Sequence, residues 1–273
     1  DLNSHIFRPG LPDDYITFTT RYDFSYCDKT SKNYKDMMEC IEQILPIRPV
    51  RDFVLKFLAS CLSGEIRDHI VPIWIGKGSN GKSVLITLME KCLGDYSGTL
   101  PTSLITQSRS RSNQANPELS EHVFKRHCTF QEPDTNDRIN AGLLKQLSGG
   151  DKIAIRGLFQ NQIEVNPQFT LTVVTNTIPS MPANDGGLWR RLVIVEFISR
   201  FTENPDPNKP YEFKIDCSIQ HKVNEWKNEF MNLLLEHYIE YREAGILQIP
   251  DEVLIATKKR QEANDTIGEF IKD

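Results

Sequence analysis

Residues 76–83 read Gly76, Lys77, Gly78, Ser79, Asn80, Gly81, Lys82 and Ser83, a glycine-rich run that closes on a Lys-Ser pair and matches G-x-x-x-x-G-K-[ST]. The chemistry such a run can do is phosphate binding. Glycines let the backbone approach an anion closely, successive N–H groups at a helix N-terminus point at it, and the lysine adds a positive charge. By charge and reach, Lys82 is expected at the β- and γ-phosphates of ATP and Ser83 at a Mg²⁺ ion. A glycine-rich turn with a solvated lysine is the plain alternative, and it leaves the Lys-Ser pair at a helix start unexplained.

A Mg²⁺-dependent hydrolase of this kind also needs an acid at the end of a neighbouring strand, to hold the metal and orient water. The run His127-Cys128-Thr129-Phe130-Gln131-Glu132-Pro133-Asp134 supplies Glu132, with Asp134 just beyond. A third polar group follows the apolar run Leu171–Thr175: Asn176 could hydrogen-bond a γ-phosphate or the attacking water without adding negative charge. An Asn that merely ends a strand at a turn is the competing reading.

These residues must be carried on strands and helices, and the central part of the chain, about residues 66–202, alternates β-rich and helical runs as an α/β sheet domain does. Strands are expected at Ile73–Ile75, His127–Gln131, Leu171–Thr175 and Leu192–Phe197. After the loop, Val84, Leu85, Leu88, Met89, Cys92 and Leu93 form a helical stripe that Gly94 ends. Residues 1–65 read as an irregular segment followed by a small helical domain, whose stripe is Val50, Phe53, Val54, Phe57, Leu58, Cys61 and Leu62. Residues 203–273 read as a C-terminal helical region. It opens on the proline-bearing linker from Thr202 to Pro210 and continues in an amphipathic helix through Trp226, Phe230, Leu233, Leu234 and Tyr238. The tail from Asp251 to Asp273 also reads as helical.

Composition narrows the classes. Hydrophobic residues make up 39% and charged residues 25%, as in a soluble globular protein, and no apolar run reaches the ~20 residues of a membrane span. The six cysteines, Cys27, Cys40, Cys61, Cys92, Cys128 and Cys217, are scattered without a C-x-x-C pair, so reduced thiols are expected rather than a zinc ribbon or disulfide framework. His127 beside Cys128 lacks a second ligand pair at suitable spacing. A formal charge of -5 argues against a protein that coats nucleic acid with its whole surface, while permitting a narrow basic channel. Local basic pairs stand at Arg109 and Arg111, Lys152 and Arg156, and Arg190 and Arg191. The N-terminus has neither a signal stretch nor an initiator Met, and the chain is expected to be an intracellular fragment of something longer.

In order and spacing, these motifs resemble superfamily 3 helicases, specifically the phage/plasmid-primase and poxvirus-like primase-helicase branch of large DNA viruses. Four features carry the likeness: the loop at 76–83; Glu132-Pro133-Asp134; Leu147-Ser148-Gly149-Gly150-Asp151-Lys152-Ile153 leading to Arg156-Gly157-Leu158-Phe159; and Thr175-Asn176 followed by Trp189-Arg190-Arg191. The likeness runs from about Asp36 to the C-terminus and includes Ile249 to Val253 and the segment around Asp265 to Phe270. It departs from the family at Gln131, where Ser is frequent, and at Gln160, where a basic residue is frequent.

The resemblance implies an α/β, AAA+-type P-loop domain with a central parallel sheet, flanked by helical regions. It further implies a homo-hexameric ring that moves along single-stranded DNA by ATP hydrolysis, in the cytoplasm or viral replication site of a host cell, with a primase domain N-terminal to it in the full-length protein. In such a ring, Arg190 or Arg191 would reach the neighbouring subunit's nucleotide, although two arginines before a strand also suit ordinary ion pairs. Residues 152–156 and 162–166 alternate around a glycine-containing turn, as a β-hairpin does. There the resemblance puts Lys152, Arg156 and Phe159 at DNA, against the alternative of a solvated hairpin with Phe159 in a core. Two rival functions are a P-loop small-molecule kinase, for which no acceptor pocket or lid is evident, and an ATP-gated assembly or packaging module, against which the intact Lys82, Ser83 and Glu132 set argues.

Overall fold

The computed structural model describes residues 1–273 apart from 3, 5, 107–115, 134–137, 183 and 265–273. Asp134, Arg109, Arg111 and the segment around Asp265 to Phe270 therefore lie outside the described residues. In chain order the elements are α1 (Lys32–Ile44), α2 (Arg48–Ser60), β1 (Val71–Ile75), α3 (Lys82–Leu93), β2 (Ser97–Leu100), α4 (Ser103–Thr106), α5 (Pro117–Ser120), β3 (His127–Gln131), α6 (Ala141–Leu147), β4 (Ile153–Ile155), β5 (Ile163–Val165), β6 (Thr170–Thr175), α7 (Gly186–Trp189), β7 (Leu192–Glu196), β8 (Arg200–Thr202), β9 (Glu212–Lys214), α8 (Ile219–Glu225), α9 (Lys227–Ala244) and α10 (Asp251–Ala263).

The centre is a five-stranded sheet in the order β2-β3-β6-β1-β7, parallel throughout. Parallel strands covered on both faces read as continuous apolar runs, and β1, Val-Pro-Ile-Trp-Ile, is buried along its whole length. A proline in a central strand would normally cost a ladder bond. Pro72 avoids this because Val71 donates toward the β7 side, to the Arg191 carbonyl, and pairing with β6 on the other side begins only at Ile73.

The period of two in the strands divides the core. Trp74, Val174, Val193 and Val195 face one cluster, which they share with α1, α2, α3, α8 and α9. Val71, Ile73, Ile75, Leu171, Val173, Leu192 and Ile194 face the other, shared with α6, α7 and the β4–β5 hairpin. The helices before and after the sheet thus pack on one face of it and complete one core. In α2 that core takes Phe53, Val54, Phe57 and Leu58, each contributing about 1.5–3 kcal/mol by burial. The open edge of β7 is closed by α10, where the Thr257 hydroxyl accepts the Ile194 N–H at 2.9 Å, so this edge offers no template for another strand.

The segment read as a linker is folded: β8 and β9 pair as a small ribbon across it. The amphipathic helix expected afterwards is α9, which Trp226 caps and which buries Phe230, Leu233, Leu234 and Tyr238; a short α8 precedes it and ends at Trp226. Among the described residues no helix is long and apolar enough to cross a membrane.

Candidate nucleotide site and hairpin

The phosphate loop joins β1 to α3, so the glycines stand at the C-terminal end of a central strand and the N-terminus of a 12-residue helix. Ligands of open α/β sheets bind outside these strand ends. The N–H groups of Lys77, Gly78, Ser79, Asn80 and Gly81 donate to no group among the described residues, which leaves a row of donors for an anion. Two glycines are required by their surroundings. A Cβ at Gly76 would lie 2.0 Å from the Asn80 amide nitrogen, and one at Gly81, which has φ +85, would lie 2.4 Å from the Ile44 side chain at the end of α1.

Lys82 is buried, with 4% of its surface exposed, and not the solvated side chain that a loop lysine suggests. Its ammonium donates to the Gly76 carbonyl at 2.9 Å, to Asn176 Oδ1 at 3.2 Å and to Asn80 Oδ1 at 3.3 Å. Burial lowers its pKa from the ordinary lysine value, and the charge of Glu132 opposes that shift. Ser83 is exposed beside it.

Glu132 does not stand on the strand next to the loop. β6 lies between β1 and β3, and the register sets Ile75 level with Thr175 and Gln131 level with Val174. The intervening strand delivers Asn176 between the two charged groups. Its Nδ2 donates to both Glu132 oxygens, at 3.2 and 3.3 Å, while its Oδ1 accepts from Lys82. Only this orientation of the amide satisfies a cation at one end and a carboxylate at the other. Glu132 itself is held at φ +50 although it precedes a proline, a position that favours extended backbone. Such strain, worth roughly 1–3 kcal/mol, collects at working sites. The structure thus brings Lys82, Glu132 and Asn176 into one line.

Arg190 and Arg191 stand elsewhere. They precede β7, whose Leu192 is level with Val71 at the start of β1, so the strand's full length, about 13 Å at 3.3 Å per residue, separates them from their own phosphate loop. Arg191 donates to the Gly187 carbonyl at 2.8 Å, and its buried Nε has no partner among the described residues. Arg190 is exposed.

The hairpin forms as expected, with Ile153 opposite Val165 and Ile155 opposite Ile163. Lys152 is exposed at its base, and Arg156 Nε donates to the Gln160 carbonyl at 3.1 Å across the turn. Phe159 at the tip is fully exposed and held at φ +58, so a core role for it is excluded. A bulky residue in the left-handed region is an outlier.

Two contacts were not legible in sequence. Asn80 is buried beneath Gly76, with its amide 3.5 Å from the Phe197 carbonyl, and the Phe201 N–H donates to the Ser79 carbonyl at 2.7 Å. The phosphate loop is therefore braced by the chain that leaves β7. The only sequence signal was a polar Asn among glycines.

Residues 74–191, which span the loop, Glu132, the hairpin, Asn176 and both arginines, match the model of a family described as "Family of unknown function (DUF5906)". The chain is 34% identical over its whole length to a protein of Acanthamoeba polyphaga mimivirus named "Putative helicase L207/L206", of which it spans 29%. It is 28% identical to "Putative helicase 184R" of Invertebrate iridescent virus 6, spanning 31% of that protein. To "Putative primase C962R" of African swine fever virus (strain Badajoz 1971 Vero-adapted) it is 25% identical over 88% of its length, or 26% of that protein. The chain therefore spans about a third or less of each of these relatives. Among solved structures, the apo NrS-1 C terminal region (305-718) shares the fold, with a TM-score of 0.63 at 14% identity, covering 85% of this chain and 52% of that one. These relatives are named as helicases and a primase of large DNA viruses, consistent with the branch that the motifs resemble.

Proposed function

We propose that this chain, a relative of proteins named as helicases and primases of large DNA viruses, is the ATP-driven motor segment of a viral DNA replication helicase. The observation that carries the reading is the line Lys82, Asn176, Glu132 beside a loop of free N–H donors. The parallel sheet with this loop at its strand ends supports an AAA+-type P-loop fold of superfamily 3.

Residues 76–83 would hold the phosphates of ATP, with Lys82 exchanging carbonyl and amide oxygens for phosphate oxygens. Ser83 and Glu132 would hold Mg²⁺, which when bound supplies neutralising charge to the phosphates. Glu132 orients the attacking water, and Asn176 meets that water or the γ-phosphate as a neutral hydrogen-bonding group. Asp134 is a second acid after the same strand. Arg190 or Arg191, too far from the phosphates of its own subunit, would serve those of a neighbour, which requires a ring such as a homo-hexamer. Lys152, Arg156 and the exposed Phe159 would meet single-stranded DNA in its channel. The site of action would be intracellular, in the host cytoplasm or a viral replication site, within a longer protein that carries a primase domain.

Light scattering tests the assembly this mechanism needs. ATP with Mg²⁺ and single-stranded DNA should raise the mass in solution from one chain to six. A mass of one chain under all conditions, with turnover raised only by a small phosphate acceptor, would favour a kinase instead.

A further inference from the structure

The ribbon of β8 and β9 is more firmly built than a connection between two regions requires. The Phe201 N–H donates to Ser79 of the phosphate loop at 2.7 Å, so β8 starts at the rim of the cradle. Its return loop is gathered by one carboxylate. Glu212, with 9% of its side chain exposed, takes the Asp206 N–H at 3.0 Å, Lys209 at 3.1 Å and Arg200 at 3.4 Å. Pro205, Pro207 and Pro210 stiffen the same loop further.

What this ribbon presents is a pair of rings. Phe201 and Phe213 have centroids 5.8 Å apart and planes tilted by 35°, and both are only half-buried. Phe201 rests against the larger core cluster, whereas Phe213 belongs to neither cluster. A rigid aromatic pair that keeps ring surface open beside a row of phosphate donors suits a flat π-system attached to a phosphate chain. Pre-organisation of this kind lowers the ordering cost of binding.

We infer that the Phe201–Phe213 pair is the platform on which the base of the bound nucleotide stacks. This rests on the reading of residues 76–83 as a triphosphate site and adds the part of the ligand that site would leave unheld. Stacking is tolerant of base identity because every base has a π-face. The platform therefore separates a nucleotide from bare polyphosphate more strongly than one base from another.

Calorimetric titration with Mg²⁺-ATP, and separately with Mg²⁺-tripolyphosphate, tests the platform in the whole chain, in Phe213→Ala and in Phe213→Tyr. Phe213 is the position to change because it lies outside both core clusters. The expected result is a loss of ATP affinity of about 5- to 140-fold in Phe213→Ala, unchanged tripolyphosphate affinity, and recovery of ATP affinity in Phe213→Tyr. Unchanged ATP affinity in Phe213→Ala would overturn the platform. Equal loss of both ligands would also overturn it, because the ribbon would then only brace the loop. An unaltered chain that bound neither ligand would instead overturn the triphosphate reading itself.

Discussion

The Asn176 amide donates to both carboxylate oxygens of Glu132, at 3.2 and 3.3 Å. With its other end on Lys82, it keeps an acid and a base apart that would otherwise be drawn together. Asn176→Asp places a carboxylate against both. It should pair with Lys82, repel Glu132 and weaken nucleotide binding along with turnover. Asn176→Ala should keep binding and lower turnover on the order of 10²-fold, the loss typical of one pre-organised donor. Fluorescent-nucleotide binding beside steady-state hydrolysis separates the two. If Asn176→Ala lost binding in proportion to turnover, its role would be limited to holding Lys82.

Glu132→Gln keeps shape and removes charge. It should preserve ATP binding while abolishing most turnover, since the charge is what metal and water require. The change of Asp134 to Asn should matter less. A larger loss at Asp134 would make that residue the principal acid.

Much of the site was legible because its chemistry is contiguous. Residues 76–83 carry their meaning in one unbroken run, and β3 spans the residues that its apolar pattern indicates. What was not legible depends on partners far apart in sequence. The burial of Lys82 comes from Asn80, Asn176 and Gly76 closing around it, which loop composition does not express. β2, Ser-Gly-Thr-Leu, has no apolar alternation and is a strand only because β3 pairs with it. The β8–β9 ribbon is two three-residue strands around prolines, and only tertiary pairing distinguishes it from a linker.

Buried His127 makes stability depend on pH. Its Nε2 lies 2.9 Å from the Thr172 hydroxyl, its Nδ1 has no partner among the described residues, and burial pushes its pKa down to about 4. Between about pH 4 and the ordinary histidine value near 6.5, the unfolded chain binds a proton that the folded chain does not, so stability falls as pH drops through that window. The loss from pH 7 to pH 5 should be about 2 kcal/mol. Denaturant unfolding at both pH values, compared with His127→Gln, measures it. An equal slope in the variant would assign the pH dependence to other groups.

Phe159 is both exposed and at φ +58, a combination that folding alone does not reward. Phe159→Ala should leave thermal stability unchanged and weaken single-stranded DNA binding by roughly 1–3 kcal/mol. Lys152→Ala and Arg156→Ala should weaken that binding and reduce its salt dependence, because fewer counterions are released. Basal hydrolysis should stay near its original rate in all three. Unchanged affinity and salt slope throughout would move the DNA path to other basic residues, Arg109 and Arg111 first.

The rate of phosphate release from ATP, measured with and without single-stranded DNA for the unaltered chain and for Lys82→Ala, is the decisive test of the motor function. Removing Lys82 also removes a desolvated charge, so the variant should unfold near the original temperature. The expected result is Mg²⁺-dependent hydrolysis that single-stranded DNA accelerates and that is abolished in folded Lys82→Ala. Full turnover retained in Lys82→Ala would overturn the phosphate-site assignment, and turnover indifferent to single-stranded DNA would overturn the motor function.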